Sequence, residues 1–303
     1  MKRILITGLN SYIGTNVDRY LQEYNDSQGT ESYQVERISQ KDDKWELIDF
    51  SPYDAVLDVT GIAHTDVGKV SEQEKENYYR INCDLAVQTA QKAKKEGVKQ
   101  FIYLSSIIIY GESAPVGQQK HITRETLPAP ANFYGDSKLQ AENGLAPLED
   151  ENFKVAIVRL PFVYGPGSKG NYRVMAKLAK CLPVFSTIPN QRSMIYIENL
   201  NEFLRLLVEE QAGGLWFPQN AEYGTTVEMV RWISKAQQKK IFFCNWLNPM
   251  VRLISKIPGK VGRIANKAFG NLTYDMEMSK DMKGYQIYSM AESIAKTEET
   301  KKV

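Results

Sequence analysis

Apolar and polar positions along this chain fall into short blocks whose period switches back and forth. "RILITG" (3–8) is an unbroken apolar run ending in glycine, and "SYIGTNVDRYLQEY" after it carries its apolar residues at helical spacing. "YQVERIS" (33–39) and "DAVLDVTG" (54–61) read as two further strands. A helical stretch covers 72–96, "EQEKENYYRINCDLAVQTAQKAKKE", and Gly97 stops it. "VKQFIYLSS" (98–106) is strand, "YGDSKLQAENGLAPL" (134–148) helix, and "FKVAIVRLP" (153–161) strand again. Strands alternating with helices predict an α/β fold with a doubly wound parallel sheet. The near-continuous apolar character of the strands fits a sheet covered on both faces. Past about residue 166 the alternation stops, although "RSMIYIENLNEFLRLLVEE" (192–210) still reads as a strand and helix returning to the sheet. The expected division is a first domain over 1–165, rejoined by 192–212, and a smaller mixed cap from 166–191 and 213–303.

Composition narrows the class. Apolar residues at 43% and charged ones at 24% are those of a globular protein, and 303 residues suffice for a substantial core. The 38 basic and 36 acidic residues leave a net charge of +2, too small a footprint for nucleic acid. Cys83, Cys181 and Cys244 lie far apart with no CxxC, and His64 and His121 have no ligand spacing, so no metal site is expected. No apolar run reaches the length of a membrane span. "KRILITG" opens the chain without a secretion signal, which points to the cytoplasm. The stretch 241–267 mixes apolar residues with Arg252, Lys256, Lys260, Arg263 and Lys267. It reads as a solvated basic face on a cap helix, with a weak peripheral membrane contact as the alternative.

Gly8 and Gly14 bracket the first strand-to-helix turn, where glycine lets backbone N–H groups approach a pyrophosphate at a helix N-terminus. The spacing is Gly8-x-x-Ser11-x-x-Gly14, not the commonest fingerprint. The second strand ends "ERISQKDD", presenting Arg37, Ser39 and Lys41 where an NAD site carries an acid. A cation and hydroxyls suit a ribose 2′-phosphate, so NADP(H) is preferred and NAD(H) kept. Tyr134 and Lys138, four apart at a helix start, share one face. A nearby ammonium is expected to lower the tyrosine's ordinary pKa of about 10 toward a working range.

Taken in order, a glycine turn, a strand ending Ser-Ser and a Tyr-x-x-x-Lys helix resemble the extended short-chain dehydrogenase/reductases, in their nucleotide-sugar epimerase/dehydratase branch. The likeness runs over essentially the whole chain and implies a Rossmann-like first domain that binds the dinucleotide and a C-terminal region that binds substrate. "TGLNSYIG" is similar to that family's TGxxGxxG, which implies cofactor contacts from Gly8, Asn10, Ser11, Tyr12, Ile13 and Gly14. Ser11 departs from it, standing where the middle glycine falls. Asp49, with Phe50 beside it, looks like the adenine-contacting acid. Thr60, Gly61, Asn82 and Pro161 match further cofactor positions. Ser106, Tyr134 and Lys138 resemble the catalytic residues. Ser105, Asn171, Phe185 and Arg192 are implied to touch substrate, Asn171 and Arg192 at the diphosphate and Phe185 on the base. The family also implies a homodimer through the helices at 72–96 and 134–147.

The residues after Ser106 discriminate among activities. Dehydratases of this branch resemble one another in an Asp-Glu pair at that place, and "LSSIIIYG" has Ile107 and Ile108. Isoleucine neither gives nor takes a proton, which disfavours dehydration. With no Cys beside Ser106 and no His after His121, epimerisation at carbons 3 and 5 is disfavoured too. Two activities remain, each needing one hydride transfer and one proton relay. A 4-reductase acting on a UDP-linked 4-keto, 6-deoxy, N-acetylated sugar for polysaccharide synthesis is preferred. A UDP-sugar 4-epimerase with tightly held NAD is the alternative, and a non-catalytic dinucleotide sensor the remote one.

Overall fold

The computed structural model describes residues 1–62, 70–168 and 171–299. In chain order the elements begin with β1 (Lys2–Thr7), α1 (Tyr12–Gln28), β2 (Tyr33–Ile38), β3 (Ala55–Asp58), α2 (Glu72–Tyr79), α3 (Leu85–Lys95) and β4 (Gln100–Ser106). Then come β5 (His121–Ile122), α4 (Phe133–Leu145), β6 (Lys154–Leu160), β7 (Phe162–Tyr164), α5 (Asn171–Cys181), β8 (Val184–Ser186) and β9 (Met194–Tyr196). The last third holds α6 (Ile197–Glu209), β10 (Gly214–Trp216), α7 (Thr226–Ala236), β11 (Phe242–Cys244), α8 (Asn248–Ser255), α9 (Lys260–Phe269), β12 (Thr273–Tyr274) and α10 (Met290–Glu299).

Two compact units result. Met1–Gly111, Leu127–Leu160 and Leu200–Pro218 form the first, and Glu112–Thr126, Pro161–Asn199 and Gln219–Val303 the second. The first unit is built on a six-stranded, all-parallel sheet in the order β10-β6-β4-β3-β1-β2. Chain order reverses between β1 and β3, and the crevice outside such a reversal is where doubly wound sheets bind ligands. On one face of the sheet, Leu5, Val56, Phe101, Tyr103 and Val155 pack against Ala86, Ala90 and Ala93 of α3 and Ala141 and Leu145 of α4. Small residues let these helices close up. A Cβ on Gly144 would lie 2.7 Å from Cγ2 of Val87.

The structure redraws three features of the sequence reading. The strand within 192–197 does not rejoin the sheet, because β9 pairs with β7 in a two-stranded sheet of the second unit. The return comes later, through α6 and then β10, which pairs with β6. Gln100 secures it, since its buried amide donates to the carbonyls of Leu207 (2.8 Å) and Ala212 (2.9 Å). The stretch 72–96 is not one regular helix, because a π turn over Arg80–Asp84 joins α2 to α3. Finally, 112–126 belongs to the second unit, where β5 pairs with β12. Among the described residues no helix is long and apolar enough to cross a membrane.

Candidate functional site

At the reversal point the chain leaves β1 through Gly8, whose φ of 78° lies in the left-handed region glycine favours. Its ideal Cβ would sit 3.3 Å from the Thr60 hydroxyl, so the turn lies close against the end of β3. Gly14 serves packing: a Cβ there would meet Ile6 Cγ2 at 2.9 Å and Val59 Cγ2 at 3.1 Å. Ser11, the departure from the family pattern, is the N-cap of α1. Its backbone is extended (φ −66°) and its hydroxyl oxygen accepts from the Gly14 N–H at 3.3 Å. A β-carbon is therefore tolerated, and the hydroxyl proton remains to be donated. Asn10 is exposed in the turn, and Tyr12 and Ile13 start the helix. This helix N-terminus offers N–H groups to an anion.

Thr60 donates to Gln40 Oε1 (2.7 Å), whose amide donates to Thr89 (2.7 Å), tying the end of β3 to α3. Asn82, fully buried in the π turn, accepts from the Ile62 N–H (2.8 Å) and donates to the Ile62 carbonyl (3.1 Å) and to Ser137 (3.1 Å). It clamps the strand end that carries Thr60 and Gly61 to α4. A helix with an extra residue per turn is a frequent device at functional sites. Its signal in sequence was only a buried-polar Asn amid a helical run.

Ser106, Tyr134 and Lys138 meet within the first unit. Ser106 ends β4 and caps the short turn Ile107–Tyr110. Asn132 caps α4 by accepting from the Gly135 N–H at 3.0 Å. Gly135 allows that first turn to lie against the Ile107–Tyr110 turn, since a Cβ would sit 2.8 Å from the Ile108 carbonyl oxygen. Tyr134 is thus brought to Ser106, with which it shares a hydrogen bond. Burial pushes the Tyr134 phenol up to about 12, and the Ser106 bond works against that.

The sequence reading, in which Lys138 lowers the phenol's pKa, is corrected here. Lys138 is itself buried; its ammonium donates to the Leu104 carbonyl (3.0 Å) and lies 4.5 Å from the centre of the Tyr103 ring. Burial pulls it down to about 8, with Asp58 and Glu142 opposing. Asp58, at the end of β3, accepts from Thr7 (2.5 Å) and from the Thr60 N–H (3.2 Å); burial raises its pKa. Its second oxygen has no hydrogen-bond partner among the described residues.

A lysine at about 8 instead of 10.5 has a consequence for stability. Between those values the unfolded chain holds a proton the folded chain has shed, so stability rises with pH. The cost of burying the charge is full below pH 8. From about pH 7.5 to about pH 9.5, wild type should gain about 2 kcal/mol more than Lys138→Met. Urea midpoints at the two pH values measure this. Cys83, pushed up to about 11 by burial, acts the opposite way in both proteins, so the difference isolates the lysine. Parallel pH profiles would mean Lys138 is an ordinary, hydrated lysine.

Other sequence-chosen residues fall elsewhere. Arg37 is engaged with the first turn: its Nε pairs with Asp18 (2.8 Å) and its Nη1 donates to the Leu9 carbonyl (2.7 Å) and Thr15 (2.9 Å). Exposed Lys41, whose N–H reaches the Ser39 hydroxyl at 3.3 Å, is the remaining cation of that trio. Asp49 is exposed, and its carboxyl is held below its ordinary value by hydrogen bonds from Ser51. Phe50 is a core residue; its ring packs on Trp45 and its N–H is taken by Glu96 (2.6 Å). Ser105 is buried and donates to Glu142, so it anchors α4 to the sheet and does not face a substrate. The set fits a pyridine dinucleotide: a glycine cradle that a Cβ would fill, a capped helix N-terminus and a buried ammonium beside the strand ends.

In the second unit, Pro161 is buried just past β6. Phe185 is 4% exposed among Phe243 and Phe269, so in this state it fills the core and offers no face to a base. Arg192 is buried too, donating to the Lys267 carbonyl and to Ser113 (2.8 Å), and burial pulls it down to about 10. The side chain of Asn171 and all of His64 lie outside the described residues. This unit does hold an open cleft of about 680 Å³, lined by Gln119, Asn190, Gln191, Arg231, Arg252 and Asn271 among others. Arg231 escaped the sequence reading because it sits in no motif, and Arg252 was read there only as part of a basic face. No cluster of metal-binding side chains occurs among the described residues.

Residues 4–216 match the model of the NAD dependent epimerase/dehydratase family. The chain is 30% identical to a UDP-glucose 4-epimerase of Vibrio cholerae, over 94% of this chain and 90% of that one. Its fold is similar to a dTDP-4-dehydrorhamnose reductase from Bacillus anthracis in complex with NADP (TM-score 0.68, 20% identity, 98% of both chains). It is also similar to a UDP-glucuronic acid 4-epimerase from Bacillus cereus in complex with UDP-4-deoxy-4-fluoro-glucuronic acid and NAD (TM-score 0.71, 16% identity, 99% of both chains).

Proposed function

This chain belongs to the NAD dependent epimerase/dehydratase family, and from that membership we propose that it reduces carbon 4 of a 4-keto UDP-sugar, 6-deoxy and N-acetylated, for polysaccharide synthesis. The observation that carries the reading is that Tyr134 lies against Ser106 while the two residues after Ser106 are isoleucines, which offer no second acid or base. In this reading the buried Tyr134 phenol is the proton donor. Ser106 and Tyr134 hold the sugar oxygen between them, and Tyr134 passes its proton to that oxygen as it becomes an alkoxide. When bound, the dinucleotide supplies the hydride. Lys138, one turn along α4, holds a ribose hydroxyl and shields the developing charge. Ile107 and Ile108 offer no acid or base, so chemistry stops at one carbon. Arg231 in the cleft of the second unit suits a phosphate group. NADP(H) through Ser39 and Lys41 is the preferred cofactor, and a cytoplasmic homodimer the preferred state.

Two observations favour a second reading, 4-epimerisation with bound NAD. One is the name of the Vibrio relative. The other is Arg37, whose ion pair with Asp18 leaves a 2′-phosphate less charge to meet. That activity starts with Tyr134 taking a proton from the sugar hydroxyl and ends with Tyr134 returning it. The test is NADPH absorbance with a UDP-4-keto-6-deoxy-N-acetylhexosamine: one cofactor consumed per product is expected. Interconversion of UDP-glucose and UDP-galactose without added cofactor would replace reduction by epimerisation. Silence in both assays with dinucleotide binding intact would leave only a binding protein.

A further inference from the structure

The second unit carries a surface that the redox chemistry does not use. Fourteen large apolar side chains are exposed among the described residues, and seven of them fall between 242 and 264: Phe242, Trp246, Met250, Leu253, Ile257, Val261 and Ile264. Trp246 and Phe242 are each 67% exposed and Leu253 69%. From Lys239 to Tyr274 the sequence has no Asp or Glu, yet it carries Lys239, Lys240, Arg252, Lys256, Lys260, Arg263 and Lys267, all exposed. In a protein of net charge +2, seven cations in a segment that contains no Asp or Glu are a concentrated positive field.

The two kinds of residue are ordered on the helices. On α8, Met250 and Leu253 share the exposed face, and Trp246 and Ile257 are exposed in the turns at its two ends. Buried Ser255 marks the inward side, and Arg252 and Lys256 run beside the exposed face. On α9, Val261 and Ile264 form the outward stripe, Gly262 and Ala265 the buried side, and Lys260, Arg263 and Lys267 the basic flank. Each helix thus repeats the same three-part order around its axis: inward, apolar-outward, basic.

We infer that α8, α9 and the turn carrying Trp246 form an interfacial surface that docks this chain on an anionic lipid bilayer. An exposed apolar stripe with an aromatic anchor and a Lys/Arg flank is what a helix lying in a headgroup layer requires. Each cation near an anionic surface adds attraction that falls within a Debye length. The charge also chooses between occupants. A two-fold contact between copies sets a patch against itself, bringing seven cations onto seven with no carboxylate in the segment to pair them. Nucleic acid would meet the charge but leave Leu253, Val261 and Ile264 unburied.

The test is co-sedimentation of the full chain with vesicles of phosphatidylcholine alone or containing phosphatidylglycerol. Binding to the anionic vesicles is expected, at least tenfold tighter than to neutral ones and weakened by salt. Trp246→Ser/Leu253→Ser and Lys256→Gln/Arg263→Gln should each reduce it at least tenfold with far-UV circular dichroism unchanged. The fluorescence of wild type should shift to the blue on binding, and that shift should vanish in Trp246→Ser. No binding to anionic vesicles at low salt overturns the inference. So does a dimer that Leu253→Ser dissolves while vesicles remain unbound, or vesicle binding that survives both double variants.

Discussion

Tyr134→Phe is expected to cut turnover by about 10²–10⁴-fold, the usual share of a positioned proton donor. Dinucleotide affinity should hardly change. The substitution removes one oxygen and keeps the ring, which packs edge-on against Tyr78 at 6.2 Å between centroids. Loss of the phenol also removes a hydrogen bond to Ser106, whose oxygen still accepts from the Ile108 N–H at 3.4 Å. The fold around the site should therefore stand. Steady-state rates together with dinucleotide titration by fluorescence separate the two quantities. A variant that keeps near-normal turnover would assign the proton to another group.

Glu142→Leu should destabilise the chain by about 3–5 kcal/mol, the cost of stranding a buried charge. Glu142 side-chain exposure is 4% and Arg159's is 11%. Their pairing is two-pronged, with Arg159 Nη2 at 2.6 Å and Nε at 3.1 Å from the carboxylate. Arg159 also donates to the Tyr110 hydroxyl (2.5 Å), and its guanidinium lies 5.6 Å from the centre of the Phe217 ring. Without the carboxylate the guanidinium keeps its burial and loses its counter-charge. The double variant Glu142→Leu/Arg159→Met should recover most of the loss, because two apolar side chains of similar volume leave no buried charge stranded. Urea unfolding of the three proteins measures this. A single variant within about 1 kcal/mol of wild type would show the pair to be effectively hydrated. Because Tyr134, Lys138 and Glu142 follow one another at i, i+4 and i+8, this network also fixes the rotation of the catalytic helix about its own axis.

What was legible in the sequence was what periodicity and local chemistry encode. Five of the six strands of the first unit's sheet came within three residues of their places, because runs such as "AVLD" and "FIYLS" are buried on both faces and carry no competing signal. Ser106, Tyr134 and Lys138 could be singled out because their order along the chain is itself the signal. The proton-relay detail was not, since the direction of a lysine's ammonium depends on which carbonyl lies within reach, here that of Leu104. Arg37 and Arg192 looked like free cations because sequence does not show Asp18 or the Lys267 carbonyl beside them. The short strand β10 was hidden, as "GLW" carries too few residues for any period. The π turn was hidden too, since Arg80–Asp84 contains no glycine or proline to interrupt the helical run.

The π turn sets a limit on redesign. Regularising a bulged helix by deleting one residue is an attractive route to higher melting temperature. Here the excision would swing everything on one side of Arg80–Asp84 by about 100° relative to the other. Asn82 would lose its grip on Ile62, and the loop end beside Lys138 would drift. At this one place a more regular helix and a well-held end of β3 are competing goals.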